Sequence, residues 1–249
     1  MAIIKPNSET NALWYAMRNA KYRNTLNQLH EIDTNPCTDM AEFMSEIVTA
    51  IVQSMHAQAG VLWYYSKYAT GRIYPKAFCG GLTPIEDGSI ALGEGVPGKT
   101  IATGKPILIE NCKTDKEWAD KVESIAGLKM QSIVCVPLVD GEKCFGCLQL
   151  INTSDGFYDQ TDLRYLERIA VEVSRMFRKH AKDILMGCFS AFDDLDKAGL
   201  NSAINCETLD EMVVTLHHIP QYADLTKFEA RLFEWCCCTI WKMFDRHRK

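Results

Sequence analysis

Long apolar runs and an excess of positive charge are both missing from this chain of 249 residues. No run approaches the roughly 18–20 residues that cross a bilayer, and residues 1–10 contain no apolar core of the kind found in signal peptides. The net charge is −5, and basic side chains cluster only at residues 246–249. Because nucleic-acid binding needs concentrated Lys and Arg, we expect a cytoplasmic protein that binds neither membranes nor nucleic acids.

Low-complexity segments and internal repeats are missing as well. Hydrophobic residues make up 47% of the chain and charged residues 24%, which is typical of a folded globular protein and not of a disordered one. The eleven cysteines are scattered along the chain, which is long enough to form a core without cross-links. We therefore expect reduced, mostly buried thiols instead of a disulfide framework.

Apolar spacing predicts helices before and after a central region. Helical periodicity extends over residues 9–31. A second helix is expected to begin at a capping box formed by Asp39 and Glu42 and to end near Gly60. Its apolar face contains Phe43, Ile47, Ile51 and Met55. A long amphipathic helix begins near residue 161. Its apolar stripe contains Leu163, Leu166, Ile169, Val173 and Phe177.

Short runs of β-branched and aromatic residues predict strands between these helices. The predicted strands cover residues 61–65, 72–78, 106–110, 132–139 and 143–152, with a short helix at residues 115–124. Asp140-Gly141 predicts a hairpin turn between the last two strands. Strands grouped in this way favour an α+β fold, a central antiparallel sheet with segregated helices, over alternating βαβ units.

Residues 93–100 match the phosphate-loop pattern G-x-x-x-x-G-K-[ST]. In such a loop, backbone N–H groups surround the phosphates, the lysine contacts them and the hydroxyl binds magnesium. The context argues against this interpretation, because only residues 90–92 precede the motif where a buried strand is needed, and the helix predicted from Lys99 must stop before Gly104 and Pro106. A phosphate-loop nucleotide hydrolase that uses residues 93–100 therefore stays a minor alternative.

The same stretch resembles the central segment of GAF domains. Residues 92–109 read LGEGVPGKTIATGKPILI, and in GAF domains a glycine pair and a short helix precede Thr-Gly-x-Pro and a strand. Residues 60–64 and 76–81 resemble the first GAF strand and the end of the second, and residues 132–137 and 146–152 resemble the last two strands. The resemblance covers residues 37 to 180 and implies a GAF/PAS-like sheet in a ligand-sensing module.

The resemblance also implies a division of the chain into three parts. An N-terminal helix would occupy residues 1–36, the GAF domain residues 37–182, and a helical C-terminal extension residues 183–249. GAF domains commonly transmit ligand binding through flanking helices. We therefore expect a homodimer or a protein partner that contacts the flanking and C-terminal helices.

By pattern the chain looks like the GAF domains of cyclic-nucleotide phosphodiesterases. Members that bind cyclic nucleotides carry Asn-Lys, then Phe, then Asp-Glu. The matching positions here are Asn152, Thr153, Tyr158, Asp162 and Leu163. The lysine–aspartate ion pair is thus predicted to be lost. Cys79 stands where an acidic residue is common, and Ala126 and Met130 lie near positions usually held by threonine. Because an unpaired buried polar group costs ~1–3 kcal/mol, we do not expect a cyclic nucleotide.

The resemblance implies a cavity between the sheet and residues 95–130. Its candidate lining residues are Phe78, Cys79, Val96, Pro97, Trp118, Met130 and Gln149. In the functional interpretation, Trp118 is a stacking wall and Gln149 a polar anchor for a small molecule. In the alternative interpretation the same side chains simply fill the core, as aromatic residues and Met usually do.

The cysteine motifs do not predict a catalytic or metal site. Cys144 and Cys147 form a C-x-x-C pair, but an odd separation on a strand predicts that the two thiols lie on opposite faces. No second pair is present for zinc, and Cys236-Cys-Cys238 is interpreted as part of an apolar helix. We expect no cofactor, no metal and no catalytic residue.

Two functional hypotheses remain besides the phosphate loop. The first is a non-catalytic GAF regulatory module that senses a small ligand or acts through a protein partner, as a dimer. The second is a structural adaptor with a collapsed pocket inside a larger assembly. A ligand that stabilises the fold would favour the first hypothesis over the second.

Overall fold

The computed structural model describes residues 8–34, 40–65, 72–82, 88–115, 128–188 and 205. These ranges contain four helices and one six-stranded sheet. The helices are α1 (Ser8–Thr34), α2 (Met40–Ser54), α3 (Gly95–Thr103) and α4 (Gln160–Cys188). The strands are β1 (Ala57–Tyr65), β2 (Arg72–Gly80), β3 (Ile90–Ala91), β4 (Ile107–Ile109), β5 (Ile133–Asp140) and β6 (Lys143–Thr153).

Every pair of neighbouring strands in this sheet is antiparallel, in the order β3-β2-β1-β6-β5-β4. The long strands β1 and β6 pair at the centre, although more than half of the domain separates them in sequence. The β1–β2 and β5–β6 pairs flank them. The predicted α+β fold with a central antiparallel sheet is thus confirmed.

One side of the sheet, which we call the helix face, packs against α2 and α4. The strands contribute alternate residues to this side, among them Leu62, Val134, Leu148 and Leu150. Every residue predicted for the apolar sides of α2 and α4 is at most 9% exposed, so both predictions are confirmed. Leu29 of α1 joins the same apolar cluster and holds the C-terminal half of α1 to the domain.

The opposite side of the sheet, which we call the α3 face, is covered by α3 and by residues 128–132. The strands contribute Val61, Trp63, Ile133, Cys135, Cys147 and Ile151 to its apolar cluster. Val96 and Ile101 of α3 pack on these residues, as do Leu128 and Met130. The predicted segregation of the helices therefore produces two separate apolar layers, one on each side of the sheet.

The connection between α2 and β1 lies earlier in the chain than predicted. The helix ends at Ser54, and β1 begins at Ala57 instead of residue 61. His56 has a φ of 53°, which is incompatible with continued helix and turns the chain into the sheet. Gly60, the predicted helix end, lies inside β1, where an added Cβ would sit 2.5 Å from Cγ2 of Val52. The glycine therefore permits close packing of α2 on the sheet.

The β5–β6 hairpin differs from the prediction in two respects. Asp140 pairs with Lys143 in the strands, so the loop is Gly141-Glu142 instead of Asp140-Gly141. Val139 lies opposite Cys144 and Leu138 lies opposite Gly146, which makes Phe145 the extra residue of a β-bulge.

The bulge changes the side on which Cys144 lies. Cys144 packs against the cluster of the α3 face, to which Cys147 also belongs. The prediction that these two thiols lie on opposite faces is therefore wrong. The physical reason is the extra residue, Phe145. Because the bulge adds one residue between the two cysteines, both of their side chains lie on the same side of the sheet.

Several predicted features fall outside the described residues. They are the cap at Asp39, residues 116–124 of the predicted short helix with Trp118, the nearby Ala126, and the C-terminal helices with Cys236-Cys-Cys238. Within the described ranges, none of the helices combines the length and the apolar character that a bilayer span requires.

Candidate functional site

Residues 93–100 do not form a phosphate-binding loop. The preceding strand, β3, has two residues and pairs antiparallel with β2, whereas a phosphate loop joins a buried strand to a full helix. The helix α3 begins at Gly95, ahead of the predicted start at Lys99. The Thr100 side chain, which would have to reach magnesium, is 0% exposed. The nucleotide-hydrolase alternative is therefore incompatible with this geometry.

The α3 face brings together most of the predicted lining residues. Phe78, Val96 and Met130 pack in its apolar cluster. Pro97 contacts the same face, since the thiol of Cys147 donates a hydrogen bond to the Pro97 carbonyl at 3.8 Å. Cys79 packs instead against the helix face, which separates it from the other candidates, and Trp118 lies outside the described residues.

Gln149 occupies the centre of the α3 face and is 1% exposed. Its side-chain oxygen accepts a hydrogen bond from Nε1 of Trp63 at 2.9 Å. The predicted polar anchor is therefore already engaged by an indole from the neighbouring strand. Trp63 was missing from the predicted lining, although its alternation with Val61 on one strand placed both on the same face.

Thr100 presents a buried hydroxyl on the side of α3 that packs against β5 and β6. Its oxygen has no hydrogen-bond partner among the described residues. A helical threonine commonly donates to the carbonyl four residues earlier, and an unpaired buried hydroxyl costs about 1–3 kcal/mol. The hydroxyl of Thr100 is therefore a hydrogen-bonding group that the described part of the fold leaves unused.

The thiols of this region are weakly acidic. Burial raises the pKa of Cys144 to about 11, and it raises the pKa of Cys147 well above the usual value. Burial, and then the charge of Asp115, raise the pKa of Cys112 to about 11. Such thiols stay protonated near neutral pH and are poor nucleophiles and metal ligands. The described residues contain no group of three or more His, Cys, Asp or Glu that is arranged to hold a metal ion.

Asn152, the first residue of the degenerate signature, joins β6 to the segment that covers the α3 face. Its side-chain oxygen accepts hydrogen bonds from the backbone N–H of Gln131 at 2.6 Å and of Ser132 at 3.2 Å. Its amide nitrogen donates to the carbonyl of Lys129 at 2.9 Å and to the side chain of Gln58 at 2.8 Å. With these four bonds and a φ of 52°, Asn152 fixes the path of residues 129–132.

The other signature residues lie where β6 leads into α4. The hydroxyl of Thr153 accepts a hydrogen bond from the N–H of Asp155 at 3.3 Å. The hydroxyl of Tyr158 donates to the carbonyl of Asn152 at 2.7 Å. Asp162 is 8% exposed, and burial raises its pKa, an effect that Arg18 partly offsets.

Asp162 has a cationic partner that the sequence did not reveal. Nη1 of Arg18, in α1, lies 3.0 Å from one carboxylate oxygen of Asp162. The family's lysine is absent, as predicted, but its ion pair with the aspartate is replaced by one from another helix. No local pattern points to Arg18, because the two residues meet only in the folded chain.

With this geometry in place, comparison with known proteins decides the family. A family model described as a GAF domain matches residues 37–178, which is more than half of the chain. The chain belongs to the GAF domain family. The GAF resemblance of the sequence is thus confirmed, and GAF domains are in general ligand-sensing regulatory modules.

Two curated relatives match short parts of the GAF region. A probable 3',5'-cyclic phosphodiesterase from Caenorhabditis elegans is 29% identical over 80 residues, 32% of this chain and 11% of that protein. Nitrogen fixation protein AnfA from Azotobacter vinelandii is 27% identical over 113 residues, 44% of this chain and 21% of that protein. The chain therefore matches about a fifth or less of the length of these relatives.

Solved structures share the fold of this chain at low sequence identity. Free methionine-R-sulfoxide reductase from Neisseria meningitidis, in complex with its substrate, has a TM-score of 0.54 and 18% identity, covering 65% of this chain and 91% of that one. The GAF domain of a phosphoenolpyruvate-protein phosphotransferase from Coxiella burnetii has a TM-score of 0.53 and 16% identity, covering 65% of this chain and 96% of that one. Similarity at this level concerns the fold alone.

Proposed function

We propose that this GAF domain is a non-catalytic regulatory module that senses a small, mostly apolar ligand between α3 and the sheet. The ligand would displace apolar contacts of the α3 face and take its orientation from one or two polar groups. The response would pass through the flanking helices to a protein partner or a second copy of the chain. Membership of the GAF family supports the regulatory role.

The observation that carries this proposal is the buried, unused hydroxyl of Thr100. Its oxygen lacks a hydrogen-bond partner among the described residues although the residue is 0% exposed. A ligand that carries one hydrogen-bonding group would satisfy this hydroxyl and offset its cost. The neighbouring apolar residues, Val96 and Met130, favour a ligand that is otherwise uncharged. A cyclic nucleotide, with its ionised phosphate and polar base edge, is not expected to bind.

The weak acidity of the thiols supports a non-catalytic role. Reduction of a sulfoxide by cysteine needs a thiolate nucleophile, and burial keeps the thiols of Cys144 and Cys147 protonated. The purified, reduced chain is therefore expected not to consume free methionine-R-sulfoxide in the presence of dithiothreitol. Turnover that disappears in Cys144→Ser or Cys147→Ser would establish an enzyme instead.

A second candidate function is the structural adaptor, and the Trp63–Gln149 hydrogen bond favours it. The indole N–H of Trp63 already bonds to the side-chain oxygen of Gln149, the polar group that a ligand would otherwise contact. Both residues are at most 9% exposed, so the α3 face is closed in this structure. If it never opens, the domain would act through its surface alone.

A ligand screen separates the two candidates. Native mass spectrometry of gently purified chain is expected to show added mass, and thermal unfolding is followed with cyclic AMP, cyclic GMP and a panel of neutral metabolites. A ligand at a hundred times its dissociation constant would stabilise the fold by ~2.7 kcal/mol. Absence of both the added mass and any shift would reject ligand sensing and favour the adaptor.

Thr100→Val tests the proposed site within the same screen. The substitution removes the unpaired hydroxyl at nearly constant volume, so the ligand-free protein is expected to be stabilised by about 1 kcal/mol. The shift caused by a hit compound is expected to shrink in Thr100→Val. Thr103→Val removes an exposed hydroxyl of the same helix, one that bonds to the backbone of Lys99 and Lys105. It is the control for the ligand-induced shift, which it is expected to leave unchanged. An unchanged shift in Thr100→Val would remove Thr100 from the site.

Partner contact through the helices is the second part of the proposal. Tyr15 and Met17 of α1 are 51% and 60% exposed, and Val171 of α4 is 71% exposed. These three side chains are our candidates for partner contact, and a homodimer in the cytoplasm stays our prediction. Sedimentation equilibrium is expected to give twice the chain mass for the wild type and a lower average mass for Val171→Glu. If the wild type is a monomer at all concentrations, the homodimer is rejected. Contact with a different protein then remains as the proposed form of association.

A further inference from the structure

A continuous set of polar contacts runs from α1 to the segment that covers the α3 face. It begins at Arg18, which is 9% exposed. Nη1 of Arg18 lies 2.5 Å from Oδ1 of Asp159 and 3.0 Å from Oδ2 of Asp162. The ring of Trp14 stacks on the guanidinium, with its centroid 3.8 Å from Cζ. Arg18 thus neutralises two carboxylates that would repel each other without it.

The two aspartates also organise the first turn of α4. Oδ1 of Asp159 accepts hydrogen bonds from the N–H of Thr161 at 2.7 Å and of Asp162 at 3.2 Å. Oδ2 of Asp162 accepts a bond from the N–H of Asp159 at 3.0 Å. This reciprocal arrangement satisfies N–H groups that a helix start otherwise leaves unpaired. The α1 helix is therefore attached directly to the N-terminal cap of α4.

Tyr158 connects this cap to the α3 face. It precedes Asp159 in the chain, is 1% exposed, and donates its hydroxyl proton to the carbonyl of Asn152. The side chain of Asn152 in turn accepts hydrogen bonds from the N–H groups of Gln131 and Ser132. The bonds of Tyr158 to Asn152 and of Asn152 to Ser132 are buried, and those of Arg18 to Asp159 and of Asn152 to Gln131 are part-buried. Linked polar contacts of this kind form a network that opens as a cooperative unit.

Residues 14–22 of α1 contact the domain through charged and aromatic side chains. Besides Arg18, Lys21 forms an ion pair with Asp155, and Tyr22 stacks on Tyr165 with ring centroids 5.0 Å apart. Leu29, in the second half of α1, belongs to the apolar cluster of the helix face, and Tyr22 and Ile32 pack against that cluster. A partner that competes for the polar contacts can therefore release the first half without dismantling the core.

We propose that docking of α1 through Arg18 holds residues 129–132 closed over the α3 face, so that release of α1 loosens this segment. Arg18 is a positioning residue: it contacts neither Asn152 nor the covered face, and it acts through the α4 cap and Tyr158. The idea that α1 controls ligand access rests on the proposed function. The coupling between the docking of α1 and the closure of residues 129–132 does not depend on a ligand.

Hydrogen exchange measures this coupling directly in the ligand-free full chain. The N–H groups of Gln131 and Ser132 exchange only when their bonds to Asn152 open. Arg18→Met, which removes the charge and keeps an unbranched side chain, is expected to speed their exchange by roughly 2- to 30-fold, the range for coupling energies of such networks. Arg23→Met, at an exposed position of the same helix, is the matched control and is expected to leave the rates unchanged. The amides of Leu148 and Leu150 in the central strand β6 report any global loss of stability.

Tyr158→Phe provides a second variant in case Arg18→Met folds poorly. It removes the bond to the Asn152 carbonyl and keeps the ring, so it should speed exchange at Gln131 and Ser132 without the loss of Arg18. Because both changes break one path, the double variant is expected to exchange no faster than the faster single variant. Rates in Arg18→Met that equal those in Arg23→Met, or strictly multiplicative effects in the double variant, would overturn the inference. A chain that shows the coupling but binds no ligand would refute only the proposed function.

Discussion

The indole N–H of Trp63, on β1, donates a hydrogen bond to the side-chain oxygen of Gln149, on β6, across the centre of the α3 face. The strand register places Gln149 opposite Val61, so the bond is diagonal between neighbouring strands. Both groups are buried among the apolar side chains of this face. The bond therefore satisfies two polar groups at once, and it closes the space where a ligand would lie.

Removal of either partner alone is expected to destabilise the domain. Trp63→Phe leaves the Gln149 oxygen buried and unpaired, and Gln149→Met leaves the indole N–H unpaired, at about 1–3 kcal/mol for each lost partner. The double variant should lose less than the sum, because neither orphaned group remains. Urea unfolding of the four proteins measures this coupling. Strictly additive losses would show that the bond contributes nothing of its own.

Gly146 of β6 is expected to tolerate no side chain. A Cβ there would lie 2.3 Å from the backbone oxygen of Trp63, and a backbone atom cannot move aside as a flexible side chain can. We expect Gly146→Ala to lower the free energy of unfolding by roughly 1–3 kcal/mol, the usual cost of overpacking. Gly81→Ala is the control, since a Cβ there meets nothing within 4 Å, and it should leave stability unchanged or slightly raised. Equal losses in the two variants would contradict the close approach of β1 and β6 at Gly146.

The buried thiols are expected to resist alkylation near neutral pH. Burial raises the pKa of Cys144 and of Cys112 to about 11, and only the thiolate attacks iodoacetamide. Labelling of these residues in the folded chain should therefore be slow at about pH 7.5 and should increase with pH up to about 11. Peptide mass spectrometry follows each site, with the urea-unfolded chain as the reference for full reactivity. Rapid labelling of Cys144 at neutral pH would reopen the question of thiol chemistry.

The elements with strong local patterns were predictable from the sequence, and the contacts between distant elements were not. The apolar stripes of α2 and α4 and the alternation of β5 and β6 follow from periodicity, which the fold preserves because each element buries one side. The orientation of Cys144 could not be predicted, because a single bulged residue reverses the alternation.

The candidate site shows the same division. The GAF resemblance led to Val96, Met130 and Gln149, which meet on the α3 face, but it did not reveal the partner that Gln149 already has in Trp63. Arg18 lies 141 residues from Asp159 in the sequence, and no spacing rule connects an arginine on one helix to a cap on another. Contacts of this kind depend on how the helices are placed, which local propensities do not encode.

His180 is expected to make stability depend on pH. Its ring stacks on Phe43, with centroids 4.2 Å apart, and Nε2 has no hydrogen-bond partner among the described residues. Burial lowers the pKa of His180 below 6.5, against the opposing charges of Asp183 and Asp33. The unfolded chain therefore binds a proton more readily than the folded chain does. The stabilisation is fully present above about pH 6.5 and is lost as the pH falls from there through the folded-state pKa.

Urea unfolding at several pH values between about 5 and 7.5 tests this expectation. His180→Phe keeps an aromatic ring against Phe43 and removes the titrating group, so its free energy of unfolding should fall less steeply with acidification than that of the wild type. His56, whose pKa burial also lowers, is present in both proteins and cancels in the difference. Parallel pH profiles for the two proteins would show that protonation of His180 is not opposed by the fold, and that the contact between α2 and α4 accommodates the imidazolium.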